Sequence, residues 1–375
     1  MNQNIYQRLG LKRVINACGK MTILGVSAVS PEVMAATAEA AGAFVEIDAL
    51  VDRTGELVST HTGAQDSYIT SCASAGIAIA VAAVITRGEP DRVAMMPDSA
   101  GMANEILILR GHNIDYGAPI TSAIRLGGGR IVEVGQSNLA ARWQLEKAVS
   151  ERTAALLFVK SHHSVQKGML TLEDFVAVAK QFQLPLIVDA AAEEDLRQYV
   201  ARGADMVIYS GAKAFNAPTS GFITGGREWI RCCKAQHHGI ARAMKIGKEN
   251  MVGLVKALEL YGEGIANMTP EKLTPTVEAI SALRGFSAEI EQDEAGREIW
   301  RVQVRVHPDI LGIDARQVEA MLRTGDIAIY TRRYFLHQGV FSIDPRTLDH
   351  HDLTTIVERL AQIAHAHKVP LVVDN

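Results

Sequence analysis

From Arg130 to Gly226 short apolar runs alternate with helical patterns, and this alternation limits the fold more than any other feature. "RIVEVG" (130–135), "TAALLFVKS" (153–161), "PLIVDA" (185–190), "DMVIYSG" (205–211) and "GFITGG" (221–226) read as strands. Between them "NLAARWQLEKAVSE", "TLEDFVAVAKQFQ" and "EEDLRQYVARG" read as helices, the second opening with a Thr-x-x-Asp cap. Upstream, "DRVAMMP" (91–97) reads as one more strand and "SAGMANEILILRG" as a helix with a turn. Strands this apolar need cover on both faces, and a helix between strands favours parallel pairing. The expected class is α/β, with a mostly parallel sheet. Ligands of such sheets bind beyond the carboxyl ends of the strands.

The pattern changes after about residue 230. "KENMVGLVKALELYG" (248–262) reads as a long linking helix, and "EIWRVQVRVHP" (298–308) alternates like a half-exposed strand. "AIYTRRYFLHQGVFSID" (328–344) reads as two strands around a Gln-Gly turn, and "DLTTIVERLAQIAHAH" as a closing helix. The expected organisation is an N-terminal segment over 1–55, a large domain over 56–245 and a smaller α+β domain over 246–375.

Charge and cysteine content exclude several classes. A net charge of −4 gives no basic field for nucleic acid or an anionic membrane. Cys18, Cys72, Cys232 and Cys233 form no CxxC or Cys/His metal spacing, so no metal site is expected and free thiols in a reducing cytoplasm are. The start of the chain lacks a signal-peptide core, and "AGIAIAVAAVIT" (75–86) is shorter than the ~20 residues of a membrane span. "RLGGGRIVEVG" sets its glycines before a strand, whereas a dinucleotide fingerprint sets them after one.

Three features carry chemistry. Lys213 lies in "YSGAKAFNAPTSGFITGG" (209–226), among small residues that let a planar ring approach the backbone. A primary amine so placed can bind an aldehyde covalently; a solvated loop lysine is the alternative. Asp189 ends the run "PLIVD", where it either caps the next helix or faces a protonated pyridine nitrogen. "TSCASAGIAIAVAAV" (70–84) opens a helix from a Ser/Ala/Gly turn, and Ser74, Ala75 and Gly76 are the natural donors to a phosphate there. Ser210 stands three residues before the lysine.

Phosphate cradle, ring-nitrogen acid and amine occur in the order of fold-type I pyridoxal-phosphate enzymes. Over "RVINACGKMTILGVSAVSPEV", "TSCASAG", "SHHSVQKGMLTLEDF", "IVDAAAEEDL", "SGAKAFNAPTSGFITG" and "GIARAMKIGKENM" the chain resembles the selenocysteine-synthase-like group of that fold. The resemblance implies a fold-type I transferase-like architecture and pyridoxal 5'-phosphate on Lys213, with Asp189 against its ring nitrogen. It further implies an ammonia-lyase that removes ammonia from a phosphorylated amino sugar acid by α,β-elimination, Lys213 taking the C2 proton. β-Replacement and aldol cleavage of a hydroxy amino acid use the same motifs and are the alternatives. A homo-oligomer is implied as well, with "IARAMKIGKEN" (Arg242, Lys245, Lys248) near the cofactor phosphate of a partner subunit. The chain departs from selenocysteine synthase in reaching "INACG" by residue 15, without the additional N-terminal region that grips transfer RNA.

Other candidates are softer. Ser161, at a strand end, is expected near the cofactor, and His162, His163 or Lys213 itself as the acid for the leaving hydroxyl. Arg332, Arg333 and His337 in "YTRRYFLHQG", together with Tyr116, are expected to hold the substrate; an arginine of the small domain suits its carboxylate. Ser99 and His112 lie in loops that either touch the site or serve packing.

Overall fold

The structure is a computed structural model that describes residues 4–161, 163–261, 268–293 and 298–367. His162 therefore lies outside the described residues. In chain order the strands are β1 (Arg13–Ala17), β2 (Asp66–Thr70), β3 (Glu105–Leu109), β4 (Arg130–Val134), β5 (Thr153–Val159), β6 (Leu186–Asp189), β7 (Met206–Ser210), β8 (Gly221–Gly225), β9 (Phe286–Gln292), β10 (Trp300–Val306), β11 (Ile327–Thr331) and β12 (Val340–Ile343). The chain forms two compact units: Val29–Gly264, and a second made of Met1–Ala28 with Ile265–Asn375.

The larger unit is built on a sheet of order β2-β8-β7-β6-β5-β3-β4. Pairings among β7, β6, β5, β3 and β4 are parallel; β8 runs antiparallel to both β7 and β2. The carboxyl ends of β2, β7, β6, β5, β3 and β4 therefore share one edge with the start of β8. Alternate residues enter two separate cores. Leu107, Leu156, Val188, Val207 and Phe222 face one side, and Ile106, Leu157, Ile187, Ile208 and Ile223 the other. Both faces are covered, as the uninterrupted apolar runs require. The helix Ala73–Thr86 is buried along almost its whole length on the second face.

Two expectations change. Residues 91–97 are not a strand: Pro90–Met95 is a short helix, with Pro90 in its first turn and only Val93 buried. The strand is β3 instead, whose Ile106–Leu109 are fully buried. The boundaries also differ from 1–55, 56–245 and 246–375. The helix Lys248–Tyr261 packs Met251, Leu254, Val255, Ala257 and Leu258 into the core of the larger unit. Residues 1–28 join the smaller unit because β1 pairs in parallel with β11 and buries Ile15 and Ala17 there. The smaller unit also holds an antiparallel sheet of order β12-β10-β9, packed against the helix His350–Ala366 through Leu353, Ile356 and Leu360.

Candidate active site at the carboxyl edge of the larger sheet

Asp189 is the last residue of β6, in register with Val159 of β5 and Ile208 of β7. It is only 6 % exposed, and its Oδ1 accepts from the Ala191 N–H at 3.1 Å. Burial pushes its carboxyl up; the nearby Lys213 charge and the Ala191 bond pull the other way without winning. A buried carboxylate so weakly compensated favours a cationic N–H partner.

Tyrosines fasten the turn after Asp189. Tyr199 Oη donates to Glu193 Oε2 at 2.8 Å, Tyr209 Oη to Asp195 O at 2.8 Å and Tyr261 Oη to Glu194 O at 3.0 Å. No local sequence signal marks them, because they come from three separate elements.

Lys213 is half-buried in the turn between β7 and β8. Gly211 N donates to Ser220 O at 2.9 Å and Ala217 N to Gly211 O at 3.1 Å, which pinches the base of this loop. A Cβ on Gly211 would lie 2.3 Å from Ser220 Oγ, so only glycine fits. Phe215 anchors the loop against Tyr261 at 4.8 Å and Phe222 at 5.9 Å between ring centroids. Asp189 and Ser210 thus end the adjacent strands β6 and β7 on one edge, and Lys213 follows in the turn three residues after Ser210.

The helix Ala73–Thr86 starts on the same edge. Cys72 caps it, its Sγ accepting from Ala75 N at 3.4 Å. Gly76 N already donates to Cys72 O at 3.0 Å, and a Cβ on Gly76 would lie 3.0 Å from Ile208 Cγ2. Gly76 thus permits close packing of helix on sheet. Ala75 N and Gly76 N are thus engaged at the cap, and the preceding N–H groups of Ala73 and Ser74 have no acceptor within the helix. Gly221 lets β8 start against this turn: a Cβ there would lie 2.6 Å from Cys72 C and 2.7 Å from Ala73 N. The sequence reading did not single out Gly221. Tyr116 arrives from the loop after β3, its Oη 3.1 Å from Ser74 Oγ. Burial pushes its phenol up, and the Asp189 charge adds to that. Tyr116 therefore joins the helix start.

Ser161 and His163 follow β5, and Ser161 Oγ accepts from His163 N at 3.2 Å. His112 is buried for packing: its Nδ1 accepts from Val159 N at 3.3 Å, and burial lowers its pKa to about 4. Ser99 lies at the opposite edge, donating to Gly128 O at 2.6 Å and accepting from Asn104 Nδ2 just before β3. Lys248 Nζ donates to the last carbonyls of the helix Pro31–Ala41, at Ala40 and Ala41. A cavity of about 870 Å³ opens beside Thr70, lined by His237, His238, Arg242 and Lys245 among others; neither Asp189 nor Lys213 lines it.

The remaining candidates belong to the smaller unit. Arg332 Nη1 lies 3.8 Å from Asp344 Oδ2, and its guanidinium stacks on Tyr334 at 5.1 Å. Arg333 turns toward Glu319, 4.0 Å away, and His337 is exposed beside Gln338.

A mostly parallel sheet with this edge constellation defines the class: the fold is that of pyridoxal-phosphate-dependent aminotransferases. An aspartate aminotransferase of Thermus thermophilus shares it, with a TM-score of 0.53 at 16% identity over 97% of each chain. The family model of SelA, L-seryl-tRNA selenium transferase, matches residues 14–310, and the chain belongs to that family. Within it, the chain is 73% identical to the D-glucosaminate-6-phosphate ammonia lyase of Salmonella typhimurium, over 97% of this chain and 99% of that one. A solved structure of a D-glucosaminate-6-phosphate ammonia-lyase superposes with a TM-score of 0.94 at 72% identity, covering 98% of this chain and all of that one.

Proposed function

We propose that this protein is a pyridoxal-phosphate-dependent ammonia-lyase that converts D-glucosaminate 6-phosphate to 2-dehydro-3-deoxy-D-gluconate 6-phosphate and ammonia. The observation that carries the reading is the 73% identity over 97% of the chain to a protein of that name. The donor set fits the cofactor: a buried carboxylate in need of a cationic N–H, an amine in a small-residue turn, and a helix start aimed at the same edge.

Pyridoxal phosphate, when bound, supplies an electrophilic carbon for amines and a ring that stabilises negative charge at the substrate's C2. Lys213 holds it through the side-chain amine and moves the proton at C2. Asp189 accepts a hydrogen bond from the ring N–H and keeps that nitrogen charged. Ser74 and Ala75 at the helix start would hold the phosphate, with Ser210 and Ser161 beside them, while Gly76, whose N–H is taken by Cys72 O, lets the helix start approach the sheet. His163, or His162, gives a proton to the C3 hydroxyl as it leaves. Arg332, Arg333, His337 and Tyr116 are the proposed substrate-binding residues, the Arg332 guanidinium suiting the substrate carboxylate. Net, C2 exchanges its hydrogen and amino group for a carbonyl oxygen taken from water, C3 exchanges hydroxyl for hydrogen, ammonia leaves, and the water lost across C2 and C3 balances the water taken up at C2.

β-Replacement is the second reading, supported by the family model of a selenium transferase. The protein is further proposed to act in the cytoplasm as a homo-oligomer, without nucleic acid or membrane. Its net charge of −4 supports the first exclusion. No helix among the described residues is long and apolar enough to cross a membrane. The exposed apolar residues Phe44, Val45 and Ile47 support self-association.

The test is the visible absorption of the purified protein with pyridoxal phosphate, before and after D-glucosaminate 6-phosphate, with ammonia and 2-keto acid measured in the same sample. The reading expects a lysine-bound cofactor band, a shift with substrate, and equal amounts of both products. A band without ammonia overturns the substrate; no band overturns the cofactor.

A further inference from the structure

Asp344 gathers three arginines from three parts of the smaller unit. It directly follows β12 and is 0 % exposed. Arg301 Nε of β10 donates to Oδ2 at 3.0 Å. Arg346 donates from Nη2 to Oδ2 and from Nε to Oδ1, each at 2.9 Å. Burial alone would push this carboxyl up, but Arg346 and Arg301 outweigh it and hold it well below the usual carboxylate range. Arg301 also donates to Asp293 at 2.7 Å. Three guanidiniums against two carboxylates leave one positive charge among these five side chains.

Arg332 carries the least satisfied of those charges. Its 3.8 Å approach to Asp344 is an ion pair and too long for a hydrogen bond. Its side chain is only 13 % exposed, and burial and the Arg301 charge lower its pKa. The guanidinium also lies over the Tyr334 ring, 5.1 Å from its centroid. Gly19 seals the arrangement: its φ is +81°, and a Cβ there would lie 2.7 Å from Asp344 Oδ2. The backbone Asp344 N also donates to Ala17 O at 2.8 Å, which ties the "NACG" segment to the main chain that carries this carboxylate.

We propose that Asp344 and Tyr334 are positioning residues that fix the Arg332 guanidinium for the substrate's carboxylate. They set how tightly the substrate binds without touching it. This rests on the reading of Arg332 given above. Asp344 attracts Arg332 at 3.8 Å without taking a hydrogen bond from it, which leaves the guanidinium fork able to bind a planar anion.

The experiment is steady-state kinetics of the pyridoxal-phosphate-loaded full chain with D-glucosaminate 6-phosphate. The variants are Arg332→Met, Asp344→Asn, Tyr334→Leu and the doubles on the Arg332→Met background. Arg332→Met is expected to raise KM about 100-fold, as for loss of a charged hydrogen-bonding group. Asp344→Asn is expected to raise KM about tenfold and Tyr334→Leu about threefold, with kcat changed less than either. Both increments vanish when Arg332 is already Met, which a merely structural role would not produce. Should Asp344→Asn fail to fold, Tyr334→Leu decides, since Tyr334 is 48 % exposed and outside the core. An unchanged KM in Arg332→Met sinks the assignment of Arg332 itself. A KM effect in Arg332→Met, with the Asp344 or Tyr334 increments absent or persisting in the doubles, sinks the positioning inference alone.

Discussion

Asp189 and Asp344 are both buried acids at the end of an apolar strand, and their surroundings drive them in opposite directions. Asp189 has one backbone donor and the Lys213 charge nearby, and burial keeps its carboxyl raised. Asp344 has two arginines bonded to it and a third close by, and they overwhelm the same burial. On the proposed reading the first acid receives the cofactor's ring N–H; the second has its partners within the fold. The direction of the shift therefore distinguishes the two acids where burial alone does not.

The largest expected effect falls on Lys213, whose charge acts on Asp189. Lys213→Ala should lower kcat by roughly 10³-fold or more, since it removes both the covalent anchor and the base. The lysine-bound absorption band should vanish with it. Activity within tenfold of the parent would show that another group carries the proton, and the asymmetry between the two acids would lose its meaning.

Exchanging each acid for its amide sharpens the contrast. Asp189→Asn should weaken pyridoxal phosphate by roughly 10–100-fold, the value of a hydrogen bond to a charged group. It should leave the Tm of the cofactor-free protein unchanged or higher. The sign comes from linkage: a raised folded pKa means the native state binds more protons, so stability falls as pH rises above the ordinary carboxylate range. The Tm advantage of Asp189→Asn should therefore grow with pH across that window. Asp344→Asn should cost about 3–5 kcal/mol by leaving buried arginines unpaired. Its folded pKa is depressed, so the parent's advantage is complete above the ordinary carboxylate pKa and fades as pH falls below it. Thermal unfolding of both amides against pH, with cofactor titrations, checks both signs. Parallel pH profiles would erase the distinction.

A smaller effect is expected where the edge is tight. Gly221→Ala would press a methyl group into the Cys72–Ala73 peptide, 2.6 Å away, at a cost of about 1–3 kcal/mol. Because that peptide opens the helix Ala73–Thr86, cofactor affinity should fall with stability. A drop in Tm with unchanged affinity would detach the helix start from the cofactor.

Much of the edge was legible because the strands stop where the chemistry starts. "LIVD" ends at Asp189 and "VIYS" at Ser210, and a parallel order of those strands brings their ends together. "VFSID" carries the same signature at Asp344, and the sequence reading passed over it. Its meaning comes from Arg301 and Arg332, which lie 43 and 12 positions away in the chain and meet it only through the β10–β12 pairing and the Arg332–Ser342 bridge. "DRVAMMP" and "EILIL" were confused because short apolar runs look alike before their burial is known. The place of residues 13–17 was hidden for a similar reason, since β11, their partner, begins at Ile327.

The smallest effect tests whether the opposite edge of the sheet is free of function. Ser99 stands in a loop much as Ser161 does, yet its hydroxyl is spent on Gly128 O and Asn104 Nδ2 beside the amino end of β3. Ser99→Ala should leave the Gly128 carbonyl without its donor and cost about 1 kcal/mol of stability. Turnover and cofactor affinity should match the parent, because ligands of such sheets bind past the carboxyl ends of the strands. A kcat lowered more than the loss of folded protein explains would mean that the two edges communicate. The chemistry would then extend beyond the Asp189 edge.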